Sequence, residues 1–367
     1  MTMTAVRTPC SRHAAGDCMM HAGVEDMVDK AEDMEDEADD MEKLIIRAAE
    51  IIRRGGLVAF PTETVYGLGA DALNARAVAR IFEVKRRPRF DPLIVHISDF
   101  SMVYELCDHV DERAEKLMRA FWPGPLTIVM PKSEIVPDIV TASLPTVAVR
   151  MPAHPIALRL IEKARTPIAA PSANPFGYLS PTSADDVREM LGDRIDMIID
   201  GGRCPIGVES TVIYIAGDKK IVLRPGGLPV EEIERVIGAV EIESHEKKQK
   251  PRSPGQLPKH YAPRTPLVIA SADEIRTGTG KREMRHRRCG LLAFKKPTPE
   301  CYHNYDAIEV LSDKGDLVEA AANLFACLRR LDRRNLDIIY AEPVPEVGLG
   351  RAVMDRLRKA AWKASSQ

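Results

Sequence analysis

The chain has 367 residues with a formal net charge of −2 at pH 7, and 45% of its residues are hydrophobic. These values are typical of a globular protein with room for two domains, and they exclude a disordered chain or one with an overall basic field for nucleic acid. No apolar stretch reaches the roughly 18 residues of a membrane helix, and the N-terminus lacks the apolar core of a secretory signal.

The N-terminal segment differs in composition from the rest of the chain. From Glu25 to Glu42 it contains eleven acidic residues and one lysine. A block of like charges repels itself and buries little surface. Residues 1–40 are therefore predicted to be a disordered, solvated tail or a loosely helical extension, with a protein-binding arm as the alternative.

Residues 41–240 alternate between helical and strand patterns, which predicts a mixed α/β sheet. A first helix in MEKLIIRAAEIIRRGG ends at two glycines. The predicted strands are LVAF, PLIVHIS, LTIVM, TVAVRM, PIAA, DMIID, STVIYI and KIVLRP. The other predicted helices are NARAVARIFEVKRRP, HPIALRLIEKA, SADDVREML and PVEEIERVIG, and Ser183 is the expected N-cap of the third of these.

A composition change after residue 240 marks a second domain. Residues 241–265 are polar and rich in proline, which predicts a linker. Residues 266–367 contain the strands LVIA, GLLAF, AIEVL and LDIIYAEP, a long helix DLVEAAANLFACLRRLD and a final helix from Arg351. Strands that alternate with helices predict a small parallel sheet.

Common catalytic motifs are missing from the sequence. It has no G-x-x-x-x-G-K-[ST], G-x-S-x-G or H-E-x-x-H, and Gly67–Gly69 is too short for a dinucleotide fingerprint. The ordinary ATPase, dehydrogenase, hydrolase and zinc-protease classes lose most of their support. Seven cysteines without a C-x-x-C pair predict free thiols in a reducing cytoplasm.

Four clusters of polar residues lie at predicted helix and strand ends. They are Lys85, Arg86, Arg87 and Arg89; the loop APSANPFGYLSPT; Glu209, Ser210 and Thr211; and Arg224 before two glycines. Together they offer cations, hydroxyl groups and closely approaching backbone, which suit a nucleotide. Each has an alternative, because cations also stabilise helix C-termini and such loops are commonly simple turns.

In order along the chain, these motifs resemble one family. The stretch from Gly56 to Gly227 is similar to the YrdC-like threonylcarbamoyl-AMP synthases in PTETVYGL, KRRP, PLIVHI, WPGPLT, VAVRMPAHP, APSAN, GVESTV and LRPGG. KHYAP and RRLDRRNLDIIYAEPVPEVGLGRAVMDRLRKAA resemble the C-terminal part of the long, two-domain form. The resemblance implies a YrdC-like curved mixed sheet with helices around a concave cavity, plus a smaller Rossmann-like α/β domain.

The resemblance also implies an activity. The expected enzyme is a nucleotidyltransferase that condenses L-threonine, bicarbonate or CO2, and ATP into threonylcarbamoyl-AMP and pyrophosphate. The product would serve a downstream tRNA threonylcarbamoyl-transferase, and weak tRNA binding is compatible with the family. ATP is then a substrate that brings Mg2+ with unknown ligands; flavin, NAD, zinc and a membrane partner are not expected, and the expected location is cytoplasmic.

Site residues follow from the resemblance, position by position. The family's K-x-R and S-x-N signature falls on Lys85, Arg87, Ser172 and Asn174, which are the expected catalytic residues. The ATP-binding positions are Lys85, Arg89, Thr146, Ser172, Ser180, Arg224 and Tyr261. The L-threonine-binding positions are Thr62, His96, Arg150, Ala170 and Ser210. For His96, a core histidine at a strand end remains the alternative.

Two positions depart from the family pattern, and one other function class stays open. The family commonly has Asn at Asp91 and at Asp355; Asp91 adds a negative charge near the expected ATP site, whereas Asp355 is expected to affect the chemistry little. A YrdC-fold RNA-binding module without synthase activity is the alternative function. For the linker, we expect a lid that places Tyr261 near the nucleotide, with a passive tether as the alternative.

Overall fold

The computed structural model describes residues 38–243, 255, 260–277, 287–299 and 301–361. Within these residues the chain forms an α/β structure with a mixed sheet and a second, parallel sheet, which confirms the predicted fold class. The predicted tail lies almost entirely outside the described residues, as does most of the linker from residue 244 to 259.

The first sheet has ten strands among the described residues. Their bounds are β1 Val58–Phe60, β2 Gly67–Asp71, β3 Ile94–His96, β4 Leu126–Pro131, β5 Thr146–Arg150, β6 Ile168–Ala169, β7 Met197–Ile198, β8 Thr211–Ala216, β9 Lys219–Arg224 and β10 Glu241–Ile242. Their spatial order is β10-β9-β8-β4-β5-β3-β6-β2-β1-β7. The sheet contains parallel pairs such as β3 with β5 and antiparallel pairs such as β4 with β5, so it is mixed as predicted.

Helices accompany this sheet. Their bounds are α1 38–53, α2 Ala75–Lys85, α3 Ser101–Leu106, α4 Glu112–Phe121, α5 Asp138–Thr141, α6 Pro155–Ala164, α7 Ala184–Met190 and α8 Val230–Ile237. The expected N-cap is confirmed, because Ser183 accepts a hydrogen bond from the backbone N–H of Asp186. Apolar side chains of α2, α3, α4, α5, α7 and α8 pack with the sheet in one core that includes Leu68, Ile81 and Leu117.

The second sheet is parallel throughout its described pairs. Its strands are β11 Leu267–Ile269, β12 Cys289–Ala293, β13 Ala307–Val310 and β14 Ile338–Ala341, in the order β11-β14-β12-β13. The accompanying helices are α9 Ala272–Thr277, α10 Cys301–Asn304, α11 Leu317–Asp332 and α12 Gly350–Ala361. The predicted small parallel sheet is confirmed.

Strand β2 is missing from the sequence prediction. Its sequence, GLGAD, has two glycines, which weaken strand propensity. The structure explains Gly69, because a Cβ there would lie 2.7 Å from the Phe60 ring and 2.8 Å from Ile168. Helices α3, α4 and α5 are also missing from the prediction.

Helix α11 packs against α7 and against the loop between β6 and α7. Buried Arg329 forms an ion pair with Asp186 at 2.7 Å and donates to the Ser180 carbonyl at 3.0 Å. The Tyr178 hydroxyl donates to Asp332 at 2.7 Å. From Ile45 onward, the described residues belong to one compact unit, and the predicted domain boundaries at 240 and 265 remain predictions. Across the described residues, no helix is long and apolar enough to cross a membrane.

Candidate functional site

One pocket gathers most of the predicted site residues. Its walls surround about 510 Å³ of space, which includes the part open to solvent. The predicted residues that line it are Thr62, Arg87, His96, Arg150, Ala170, Ser172, Ser210, Arg224 and Tyr261. Other residues that line it were absent from the predicted site: Thr64, Val65, Gly67, Ile94, Pro171, Glu209, Gly255 and His260.

Strand ends deliver several of these side chains to one edge of the sheet. His96 and Arg150 are the last residues of β3 and β5, and they are direct partners in that parallel pair. Because the carboxyl ends of parallel strands meet at one edge, both side chains reach the pocket together. Arg224 ends β9, and Ser210 immediately precedes β8.

A first network surrounds Arg150. Its Nη2 forms an ion pair with Glu63 Oε1 at 2.6 Å, and both side chains are nearly buried. Its Nη1 donates to Thr64 Oγ1 at 2.9 Å, and its Nε donates to the Gly124 carbonyl at 3.3 Å. Thr62 Oγ1 donates to the Val65 carbonyl at 2.7 Å. The guanidinium is thus fixed on the pocket wall by partners that the sequence did not identify.

His96 is held in its neutral form. Burial lowers the pKa of His96 to about 3, and the nearby Arg150 charge lowers it further in the same direction. Its Nδ1 is buried without a hydrogen-bond partner among the described residues. The imidazole therefore offers a neutral polar edge in the pocket at physiological pH.

A second group of cations lies where α2 ends. Lys85 is buried but does not line the pocket; its Nζ donates to the carbonyls of Ser172 and Asn174, both at 2.5 Å. Burial, followed by the charge of Arg87, lowers the pKa of Lys85 well below its ordinary value, and Asp91 opposes the shift. The lysine thereby fixes the loop that carries the S-x-N residues.

Arg87 faces the pocket but is paired with Asp91. Arg87 Nη2 lies 2.8 Å from Asp91 Oδ2, and the same guanidinium donates to the carbonyls of Asp91 and Pro92 at 3.1 and 2.7 Å. Asp91 is completely buried. The expected negative charge near the ATP site is thus directly opposed by the arginine of the K-x-R signature.

A second network links Ser210, Glu209 and Arg224. Arg224 Nη2 donates to the Ser210 carbonyl at 2.8 Å, and Ser210 Oγ shares a 2.7 Å hydrogen bond with Thr127 Oγ1. Ser180 Oγ donates to Glu209 Oε1 at 2.5 Å. Ser210 was expected on the threonine side, yet its contacts join it to Arg224, which was expected on the nucleotide side.

The end of the linker lies against the pocket. Tyr261 is buried at 1% exposure, and its ring centroid is 4.2 Å from that of His260 and 5.7 Å from that of Phe325. The Tyr261 hydroxyl has no hydrogen-bond partner among the described residues. Burial, followed by nearby cations such as Arg87, lowers the pKa of His260 well below its ordinary value. A neutral histidine and a phenol thus face the cavity together.

Four of the other predicted residues lie outside the pocket lining. Asn174 Nδ2 donates to the Pro175 and Tyr178 carbonyls at 2.9 Å, and Ser180 contacts the pocket through Glu209. Arg89 is exposed beyond the end of α2. Thr146 begins β5, at the opposite end of that strand from Arg150. The structure therefore does not bring Arg89 and Thr146 together with the other site residues.

The chemistry of the pocket favours anions. Three arginines, Arg87, Arg150 and Arg224, line it together with hydroxyl groups and backbone. Guanidinium groups match carboxylate and phosphate oxygens geometrically. In the described part of the chain, no cluster of three or more His, Cys, Asp or Glu could hold a metal ion.

Comparison with known proteins gives consistent matches over most of the chain. Residues 50–226 match the family described as telomere recombination, and residues 228–362 match the threonylcarbamoyl-AMP synthase C-terminal domain. Over 318 residues the chain is 50% identical to a Pyrococcus abyssi threonylcarbamoyl-AMP synthase, and the aligned region covers 85% of this chain and 92% of the relative. A Bacillus subtilis threonylcarbamoyl-AMP synthase is 45% identical over 322 residues, covering 86% of this chain and 92% of the relative.

A solved structure supports the same relationship. The crystal structure of Pyrococcus abyssi Sua5 complexed with L-threonine superposes with a TM-score of 0.82 at 48% sequence identity. The match covers 87% of this chain and 94% of that one. All described strands of both sheets also lie within the two family matches, residues 50–226 and 228–362.

Proposed function

Because this chain belongs to the threonylcarbamoyl-AMP synthase family, we propose that it joins L-threonine, CO2 or bicarbonate, and ATP into threonylcarbamoyl-AMP and pyrophosphate. The single observation that carries the proposal is the pocket, where Arg150, Arg87 and Arg224 line one cavity with neutral His96. An amino-acid carboxylate and a triphosphate both need cations, and three arginines in one cavity offer charged partners to both substrates.

The reaction needs no covalent enzyme intermediate. The amine of threonine adds to CO2 and loses a proton, which gives a carbamate. A carbamate oxygen then forms a bond to the α-phosphorus of ATP while the bond from that phosphorus to the bridging oxygen breaks, and pyrophosphate leaves. Catalysis therefore rests on positioning the two substrates and stabilising the charge that develops on phosphate oxygens.

On the threonine side, Arg150 is the proposed partner of the carboxylate. Glu63, Thr64 and the Gly124 carbonyl already orient its guanidinium, so little side-chain entropy is lost on binding. His96 is neutral in the pocket and is a proposed hydrogen-bonding partner of the threonine hydroxyl. Thr62, Ala170 and Ser210 complete the proposed threonine-binding set.

On the nucleotide side, Arg87 and Arg224 are the proposed partners of the triphosphate. Lys85 supports them from beneath by fixing the Ser172–Asn174 loop, and a polyphosphate would favour its protonated form. Tyr261 and Ser180 complete this side, with Arg89 and Thr146 as proposed positions away from the cavity. Mg2+ is proposed to enter with ATP as part of the substrate, since it is bound commonly through phosphates, waters and few carboxylates.

The biological setting forms part of the same proposal. The enzyme class would be nucleotidyltransferase, and the labile product would pass to a tRNA threonylcarbamoyl-transferase. The cytoplasmic location is proposed from the cysteines, five of which are free among the described residues. The 266–367 domain and the 241–265 linker stay within the proposal as a Rossmann-like domain and a lid.

Pyrophosphate release tests this function. The expected result is release that requires threonine and bicarbonate together with ATP and Mg2+, with threonylcarbamoyl-AMP detected by mass spectrometry. Release that is independent of threonine, or no product at all, would contradict the proposal. RNA binding without product formation would instead favour the RNA-binding module.

A further inference from the structure

Arg356, a residue of the last described helix, contacts residues that line the pocket without lining the pocket itself. It lies in α12 and is completely buried. Its Nε lies 2.9 Å from Glu209 Oε2, and its Nη1 donates to the Pro225 carbonyl at 2.7 Å. Its guanidinium carbon is 5.0 Å from the centroid of the Tyr261 ring. One side chain therefore contacts three separate segments that line or flank the cavity.

Each contacted segment contributes to the nucleotide side. Glu209 and Tyr261 line the pocket, and Pro225 directly follows Arg224, which also lines it. Glu209 uses its other oxygen to accept a hydrogen bond from Ser180 Oγ. Arg356 itself is absent from the described residues that line the pocket, so its action on a ligand must pass through these neighbours.

Charges in this buried region are balanced around Arg356. Its Nη1 lies 2.7 Å from Asp355 Oδ2, and Lys359 Nζ lies 2.8 Å from Asp355 Oδ1. Two cations thus face two anions, Glu209 and Asp355, in a region that solvent hardly reaches. Burial alone would raise the pKa of Glu209, but Arg356 first, then Arg224 and Ser180, bring it below its ordinary value. The carboxylate therefore stays ionised.

The backbone at this wall has no room to adjust. A Cβ on Gly226 would lie 2.3 Å from the Glu209 carbonyl oxygen, so the two segments are in direct contact. A shift of Glu209 would therefore be transmitted to the turn after Arg224 and to Ser210, which accepts hydrogen bonds from Arg224. Asp355, expected to matter little, is instead bonded to the residue that holds this wall.

We propose that Arg356 is a positioning residue of the nucleotide half of the pocket, acting through Glu209 and Tyr261. The proposal rests on the proposed synthase function. It assigns to α12 a role in ATP binding that the threonine half of the pocket does not share, because the hydrogen bonds and ring contact that the structure describes for Arg356 go to Glu209, Pro225, Asp355 and Tyr261.

The main test compares Arg356→Met and Arg356→Lys with the wild type. Arg356→Met should raise the KM for ATP about tenfold or more, since a charged hydrogen-bonding partner is removed from the wall. Arg356→Lys keeps the charge but cannot bond Glu209 and Pro225 in the same fork, so it should recover only part of the loss. The threonine Kd, measured by calorimetry without nucleotide, should stay within about twofold.

A matched control lies two residues further along the same helix. Arg358 is 44% exposed and pairs with Glu346 at the surface, so Arg358→Met should leave the KM for ATP unchanged. A double variant adds Arg356→Met to Glu209→Gln; because Glu209 carries part of the proposed action, the added change should raise the KM for ATP by less than Arg356→Met does alone, and an undiminished increase would overturn the action through Glu209.

The outcomes separate the proposal from its premise. An unchanged KM for ATP in Arg356→Met, or equal losses of threonine and ATP affinity with a lowered Tm, would overturn the positioning role. If Arg356→Met does not fold, Arg356→Lys is tested in the same way, by comparing its loss of ATP affinity with its loss of threonine affinity. Binding of a non-hydrolysable ATP analogue is measured alongside. If the wild type binds the analogue but forms no product, the synthase function is contradicted. The Kd of the analogue for Arg356→Met, compared with the wild type, then still tests the positioning role.

Discussion

Replacing Arg150 separates the structural role of this residue from its role in threonine binding. In Arg150→Met, the side chain keeps most of its apolar length but loses the guanidinium. Glu63 then loses its counter-charge at 2.6 Å, while Thr64 and the Gly124 carbonyl lose a hydrogen-bond donor. Both members of the ion pair are nearly buried, with side-chain exposures of 4% and 9%.

The size of the effect follows from this burial. Removing one partner of a buried ion pair costs about 3–5 kcal/mol, because the remaining charge is left without compensation. Glu63 keeps a side-chain exposure of 9% and can therefore be partly solvated, so we expect the lower end, about 3 kcal/mol. For a folded unit larger than 200 residues, this corresponds to a Tm lowered by about 6 °C.

A second variant removes the cause of this instability without restoring threonine binding. In Arg150→Met with Glu63→Gln both charges are gone, and a neutral pair is commonly tolerated at little cost. The Tm should return to within about 2 °C of the wild type. The threonine Kd should nevertheless stay raised by about tenfold or more in both variants, since the carboxylate has lost its charged partner.

Differential scanning fluorimetry gives the Tm, and isothermal titration calorimetry gives the threonine Kd. Arg235→Met is the control: Arg235 forms an exposed ion pair with Glu232, which should contribute less than about 1 kcal/mol. Wild-type threonine affinity in the double variant would refute the role of Arg150 in binding. A Tm that stays low in the double variant would refute the account of its stability.

Three further predictions concern residues that line or support the pocket. Lys85→Met and Arg87→Met should each lower kcat/KM for ATP by about tenfold or more in the pyrophosphate assay, and near-normal turnover in both would contradict their assignment. Because the folded pKa of His96 is about 3 and lies below its unfolded value, stability falls as pH drops below about 6.5. Between pH 7 and pH 4.5, the free energy of unfolding of His96→Asn should therefore fall by about 2–3 kcal/mol less than that of the wild type, as measured by urea unfolding. An equal fall in both proteins would contradict this. Tyr261→Phe should keep the wild-type Tm, since the hydroxyl has no partner among the described residues. It should weaken ATP binding, measured by calorimetry, if the hydroxyl contacts the nucleotide. An unchanged ATP affinity would assign only the ring of Tyr261 to the site.

Local patterns in the sequence predicted the elements that depend on nearby residues. The apolar face of α2, the Ser183 cap and the strands that end at His96 and Arg150 all follow from spacing within a few positions. Strand β2 was not predicted because its glycines are explained only by Phe60 and Ile168, which pack against them. Where the choice of a residue depends on a neighbour that is distant in sequence, the surrounding sequence does not indicate the secondary structure.

The contacts that complete the site are of this second kind. Arg150 and Thr64 are 86 positions apart, and Arg356 and Glu209 are 147 apart. A sequence shows that an arginine is present but not which carboxylate it meets, because pairing depends on how two elements pack. Glu63 and Arg356 were therefore missed as site residues, and Glu209 was identified only as one member of a polar cluster, although all three lie inside the motifs that carried the resemblance.

The cationic segment after α2 shows why a count of charges misleads. Lys85, Arg86, Arg87 and Arg89 form one basic cluster in the sequence, yet the first and third are buried and the others are exposed. Helix α2 ends at Lys85, and Arg86 adopts a left-handed conformation with φ of 52°, so helical periodicity no longer decides which side chains face inward. Arg87 then turns toward Asp91, whose charge offsets its own. The field that a triphosphate meets is thus set by which cations remain paired when it arrives, and that depends on the packing of the whole pocket.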